Sequence, residues 1–160
     1  YLKTLRERVG ALGIEAQVRF MDPIGYEDMP GLLSASSVVI SVPFSDGLPQ
    51  TLFESLASET PIVLGRLAAY EELVQDGREV LLADLNAPSI AGAVSRLLGD
   101  ADLASRLRAA GLRRIHEQAS LQDEARRVES YYLRVLAAPK RPSPLVPRVF
   151  DAMSLAFRRG

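Results

Sequence analysis

Apolar positions along this chain recur in two alternating rhythms. Leu2, Leu5, Val9 and Leu12 fall at helical spacing, and Gly13 ends that pattern. Gln17-Val18-Arg19-Phe20 predicts a short strand, and Asp28 is placed to cap a helix reaching about Ala35. Val38–Val42 is rich in β-branched residues and predicts a buried parallel strand. A turn at Ser45-Asp46-Gly47 then leads into a helix over Leu48–Glu59, with Pro49 in its first turn, where proline is tolerated. Pro61–Leu64 predicts the next strand and stops at Gly65. A short helix over Ala69–Gln75 closes at Asp76-Gly77, and Glu79–Leu82 predicts a fourth strand. Asn86–Leu98 is helical, with Ile90, Val94, Leu97 and Leu98 on one face; helices over Ala101–His116 and Leu121–Leu136 follow.

Strands alternating with helices across short turns predict an α/β domain. Its parallel sheet has helices on both faces, and further helices follow at the C-terminal side. Ligands of such sheets sit beyond the C-terminal ends of the strands. The loops after Val42 and after Leu64 are therefore the candidate site walls. Pro139, Pro142, Pro144 and Pro147 make a stiff linker. Val149, Phe150, Met153, Ala156 and Phe157 share one helical face beyond it. The expected division is a domain over 1–137 and a linker with an amphipathic helix over 138–160. That helix could dock on a protein domain or, through the basic 145–159 stretch, on a membrane surface.

Composition narrows the chemistry. The 160 residues are 48% apolar and contain no Cys, which excludes disulfides and thiolate zinc sites. His116 is the single histidine, so no His cluster is available for a metal and no general base is obvious. No apolar run approaches the roughly 20 residues of a spanning helix. The net charge is −1, with a balance of +4 from Pro139 onward and −5 before it. A domain this acidic is a poor partner for nucleic acid. The chain opens on Tyr1, directly in a helical pattern, and is expected to be a piece of a longer protein.

Asp46 and Glu54 stand eight residues apart, one at the mouth of a helix and the other two turns further along nearly the same face. A helix start offers free N–H groups and partial positive charge to an anion. Carboxylates flanking such a site can hold hydroxyls, and that combination suits a nucleotide-sugar. Each residue also has a plainer reading. Asp46 before Gly47 is a turn signal in its own right, and Glu54 could be an ordinary exposed helix acid. Glu71 and Glu72 point about 100° apart on a helix, which speaks against a shared site. Asp100-Ala101-Asp102 spells a metal–diphosphate motif but begins a helix after Gly99, so capping is expected.

Taken in order, these segments resemble the donor-binding C-terminal half of a GT-B glycosyltransferase, more narrowly the retaining family 4. The family pattern is a V-x-F strand, a strand leading to Ser, an acid-x7-Glu motif, A-x-G-x-P-V-V and E-x-x-x-D-G. Here those read Val18-Arg19-Phe20, Ser45, Asp46 through Glu54, Ala57 through Val63, and Glu72 through Gly77. The resemblance covers about Leu2 to Leu136 and implies a Rossmann-like parallel sheet. It implies that Glu54 accepts the ribose hydroxyls of the donor and that Asp46, the catalytic-side acid, lies near the donor sugar. Ser45, Gly47 and Leu48 would adjoin the diphosphate, with Glu72 a further donor-binding candidate. No cofactor or metal is implied, because helix amides and cationic side chains carry the leaving-group charge. The implied partners are a nucleotide-sugar donor and an N-terminal acceptor-binding domain, without which this piece should be inactive. The implied setting is cytoplasmic or at the inner face of a membrane. The chain departs from the family at Glu59, Ala68 and Ala69, where Gly is usual, and at Asp22. Those losses leave two other readings open, a non-catalytic GT-B-like interaction module and a nucleotide-sugar epimerase.

Overall fold

A computed structural model describes residues 1–47, 49–118 and 121–138. The chain divides into two compact units, Tyr1–Gln118 and Ala119–Gly160. The first unit runs α1 (Leu2–Ala11), α2 (Met29–Ser34), β1 (Val39–Ser41), α3 (Gln50–Ala57), β2 (Ile62–Gly65), α4 (Ala68–Glu71), β3 (Leu81–Ala83), α5 (Ala87–Gly99) and α6 (Ala101–Gln118). In the second unit, α7 (Leu121–Ala137) carries exposed Val128, Tyr131, Leu133 and Leu136. Leu48, the segment from Pro139 and the expected 145–159 helix lie outside the described residues. Among the described residues no helix is long and apolar enough to cross a membrane.

The sheet is parallel and three-stranded in the order β1-β2-β3. Val39 pairs with Ile62, and Val63 with Leu81. Every residue of β2 is buried, as expected of a parallel strand covered on both faces. Successive side chains therefore enter two different cores. Ile62 and Leu64 join Leu52, Leu56, Tyr70, Val74, Val80 and Leu82 on the α3–α4 face. Val63 joins Leu81, Ala83, Leu97, Leu103 and Leu107 on the α5–α6 face. Helix α6 also meets α3 at Gly111, where a Cβ would come within 2.6 Å of Leu56 Cδ2, so a larger residue there would have to displace that side chain.

The caps follow the sequence in part. The Asn86 side chain accepts from Ser89 N–H at 2.9 Å, and Asp100 Oδ1 accepts from Leu103 N–H at 2.8 Å, so Asp100 caps α6. Asp28 does precede α2, but its backbone is already helical (φ −89°) and its side chain makes no cap bond. Helix α3 begins at Gln50 with Pro49 before it, inside the broader span expected over Leu48–Glu59.

Two expected strands differ. Gln17–Phe20 forms no strand, because a strand exists only through a ladder partner and β1 pairs with β2 alone among the described residues. Phe20 instead packs under the Arg6 guanidinium, 5.4 Å from the ring centroid. The strand expected over Glu79–Leu82 is displaced to Leu81–Ala83. Its first residues are taken up by a turn at Gly77 (φ +74°) and an isolated bridge between Asp76 and Val80. Glu79 is drawn back into that turn, where its Oε2 accepts from Gln75 N–H at 2.8 Å.

The α3–β2 turn explains one departure from the family. Thr60 N–H donates to Ser55 C=O and Glu59 N–H to Leu56 C=O, the paired bonds of a left-handed helix C-cap. Glu59 sits at the left-handed position with φ +54°, the single non-glycine residue with positive φ among those described. A Cβ there costs on the order of 1–2 kcal/mol, which is why glycine suits this position. Ala68 and Ala69 have no such problem, since they open the helical turn of α4. Glu59→Gly is expected to raise unfolding stability by about 1 kcal/mol, read as a higher denaturant midpoint with an unchanged slope.

Candidate functional site

The loop after β1 carries the first acid. Ser45, Asp46 and Gly47 are all exposed there, at the C-terminal end of the strand and just before α3. Asp46 has both oxygens engaged. Oδ1 accepts from Gly47 N–H at 2.7 Å, and Oδ2 accepts from the Tyr70 hydroxyl at 2.7 Å. The Gly47 amide, expected to face a diphosphate, is thus turned to its neighbour's carboxylate. Tyr70 belongs to α4, so this contact joins the loop after β1 to the loop after β2. Its ring is fully buried in the α3–α4 core. Burial, and then the bond to Asp46, push the hydroxyl from the usual 10.0 up to about 12. It is therefore a proton donor throughout the physiological range.

The second acid lines a cleft. Glu54 is half-buried on α3 and borders a space of about 270 Å³ together with Tyr26, Met29, Pro30, Leu33, Ala57 and Ser58. The walls are mostly apolar and Glu54 is the one ionisable acid among them. Of these lining residues Tyr26 is exposed and Leu33 is buried. Thr60 ties the two sides together, its hydroxyl donating to the Leu33 carbonyl at 2.8 Å.

Neither Asp46 nor Glu72 borders this cleft. Glu72 is exposed at the C-cap of α4. Its neighbour Glu71 accepts from Arg66 at 3.3 Å. Arg66 follows β2 and also meets Asp76 at 2.9 Å and Asp84 at 3.5 Å. The bonds to Asp76 and Glu71 raise its already high pKa further. His116 is exposed in the last turn of α6. Among the described residues no cluster of three or more His, Asp or Glu is arranged to hold a metal ion.

The structure thus places Asp46 on the loop before α3 and Glu54 in the middle of that helix, each in a distinct setting. Sequence reasoning did not single out Tyr70, Arg66 or the cleft residues Tyr26, Met29, Pro30 and Leu33. The cleft had one faint signal, an aromatic and a methionine flanking the expected α2 start. Tyr70 had none, because its contact with Asp46 spans 24 residues.

Residues 2–100 match the family described as glycosyl transferases group 1. The chain belongs to that family. This glycosyltransferase chain is 31% identical over 110 residues to the D-inositol 3-phosphate glycosyltransferase of Streptomyces scabiei, covering 66% of this chain and 24% of that protein. It is 30% identical over 132 residues to the protein of that name from a Nocardioides species, covering 80% and 28%. It therefore spans about a quarter of the length of the curated relatives it matches. The sucrose-phosphate synthase of Thermosynechococcus elongatus superposes with a TM-score of 0.79 at 21% identity, over 86% of this chain and 35% of that one. Anabaena HepE in complex with UDP superposes at 0.74 with 19% identity, over 81% and 37%. At those identities the structural likeness establishes the fold, a GT-B-type α/β domain.

Two outcomes follow for this glycosyltransferase domain. Thr60→Val is expected to lower stability by about 1 kcal/mol in urea denaturation, by removing the hydroxyl that joins α2 to the α3–β2 turn. The second concerns pH. An unfolded tyrosine ionises near 10.0, whereas folded Tyr70 keeps its proton up to about 12. Between those values the folded state binds the extra proton, so stability falls as pH rises. The contribution is complete below pH 10 and gone above about 12. Denaturation series should show the native protein losing stability over that window relative to Tyr70→Phe.

Proposed function

We propose that this chain is the donor-binding half of a retaining glycosyltransferase, which moves a sugar from a nucleotide-sugar to a hydroxyl acceptor in glycan or glycolipid assembly. The observation that carries the proposal is the placement of Glu54 in an apolar-walled cleft along the C-terminal half of α3, the helix whose start faces the Asp46 loop. A ribose presents two adjacent hydroxyls, and a carboxylate accepts both at once. The flanking apolar surface of Tyr26, Met29, Pro30 and Leu33 suits the flat face of a base. Asp46 then lies on the sugar side of the nucleotide. Ser45, Gly47, Leu48 and the first amides of α3 adjoin the diphosphate, and Glu72 is a further donor-side residue. The family supports sugar transfer, and the Anabaena neighbour was solved with UDP. Helix amides supply part of the charge stabilisation that the leaving diphosphate needs, with no metal assigned a role.

The chain spans about a quarter of its curated relatives, so the acceptor and the complete reaction cleft are assigned to the rest of a longer protein. The departures at Glu59, Ala68 and Ala69 fall on a helix C-cap and a helix first turn. Glu59 costs folding stability and the two alanines cost the backbone nothing, which favours a working donor site over a binding-dead module.

The intact protein is expected to bind one of the common nucleoside diphosphates in a calorimetric titration. Glu54→Ala should weaken that binding about tenfold or more, the size of one or two charge-assisted hydrogen bonds. Binding should also protect Ser45–Glu54 from hydrogen exchange. An unchanged affinity in Glu54→Ala would overturn the ribose assignment.

A further inference from the structure

We propose that Tyr70 is the positioning residue for Asp46, holding the carboxylate in one orientation toward the donor sugar; this rests on the assignment of Asp46 to the sugar side of the nucleotide. An aspartate on an exposed loop ordinarily samples several rotamers, and each costs free energy to freeze when a substrate arrives. Here the freezing is done in advance. Tyr70 has a rigid side chain with two rotatable bonds to the ring, and that ring is fixed among Leu52, Leu56, Ile62, Leu64, Val74, Val80 and Leu82 in the core. Its hydroxyl reaches out to Asp46 Oδ2 at 2.7 Å, within the range of a bond between a neutral donor and a charged acceptor. The second anchor is the Gly47 N–H at 2.7 Å on Oδ1. Two donors on two oxygens fix the carboxylate plane.

The anchoring does not consume the acid. A carboxylate offers about four lone-pair sites, so roughly two remain for hydroxyls of a bound ligand. The anchor is itself braced. Glu71, next in α4, is tied through Arg66 to Asp76 and to the Leu82 carbonyl at 3.3 Å. A shift of α4 would therefore be felt at Asp46, and the C-terminal ends of β1 and β2 act as one unit. Preorganised polar groups of this kind contribute most where charge develops during reaction, because they need no rearrangement at that moment.

The test uses the intact protein and the variant Tyr70→Phe, which keeps the ring in the core and removes only the hydroxyl. In the ligand-free protein, hydrogen exchange at the Gly47 amide is expected to speed up about tenfold, as the carboxylate that accepts from it is released. Nucleoside diphosphate affinity, set by Glu54, should be unchanged. Turnover of a nucleotide-sugar should fall about tenfold in kcat with little change in KM. A double-mutant cycle separates positioning from packing: in the Asp46→Ala background, Tyr70→Phe should cause no further loss. Unchanged Gly47 exchange, or a Tyr70→Phe loss that multiplies in full with that of Asp46→Ala, overturns the positioning role while leaving the donor site standing. Failure of the intact protein to bind any nucleoside diphosphate or nucleotide-sugar overturns the functional assignment and this proposal together.

Discussion

Strand β2 is the constraint on which the rest of this domain hangs. All four of its residues are shut off from solvent, and its side chains alternate between two cores. A strand buried on both faces cannot slip by one residue without exchanging the contents of those cores. Its register with β1 and with β3 is therefore fixed. Because both neighbours run parallel to it, the loops that leave β1 and β2 must emerge at the same end. That is how an acid on one loop and a tyrosine on the next come within hydrogen-bond distance. The site is a consequence of how the centre of the sheet packs.

The parts of this arrangement that depend on local chemistry could be read from the sequence. The apolar runs at Val38–Val42 and Pro61–Leu64 announced β1 and β2, but the burial expected of both holds for β2 alone: β1 has a neighbour on one side only among the described residues, and its Ile40 is half exposed. Gly13 announced the end of α1, and it adopts φ +66° there. The capping role of Asp100 was legible because a helix start offers an unmatched amide to a short acid. What was not legible were features set by distant partners. The Val18-Arg19-Phe20 pattern is strand-like, but a pattern cannot supply a neighbour, and the segment stays unpaired. Tyr70 looked like an unremarkable aromatic between alanines and glutamates. Its meaning comes from Asp46, and only the fold brings the two together. The Glu54 cleft is similar: its far wall is built by α2, which the chain leaves before reaching β1.

The family's glycines also separate into different physical roles once the backbone is known. At Glu59 the backbone itself is left-handed, so the departure there strains the fold and touches no part of the Glu54 cleft. At Ala68 and Ala69 the backbone is helical, and alanine is the residue a helix prefers. A short, well-formed α4 is what carries Tyr70 into the core. Replacing flexible residues by alanine at its start stiffens the element that holds Asp46.

Charge sets the remaining condition on this site. A diphosphate brings concentrated negative charge, and Arg66, at the end of β2, stands close in sequence to the element that anchors Asp46. Yet Arg66 is already committed to Glu71, Asp76 and Asp84, and those bonds hold its proton more firmly still. Releasing it would leave three carboxylates facing one another, so its charge is spent on bracing α4. Asp46 itself adds repulsion toward such an anion. The amides at the start of α3 offset part of that repulsion through the helix dipole, an effect of about 0.3–1 kcal/mol at an exposed end. That is too little to hold a diphosphate alone.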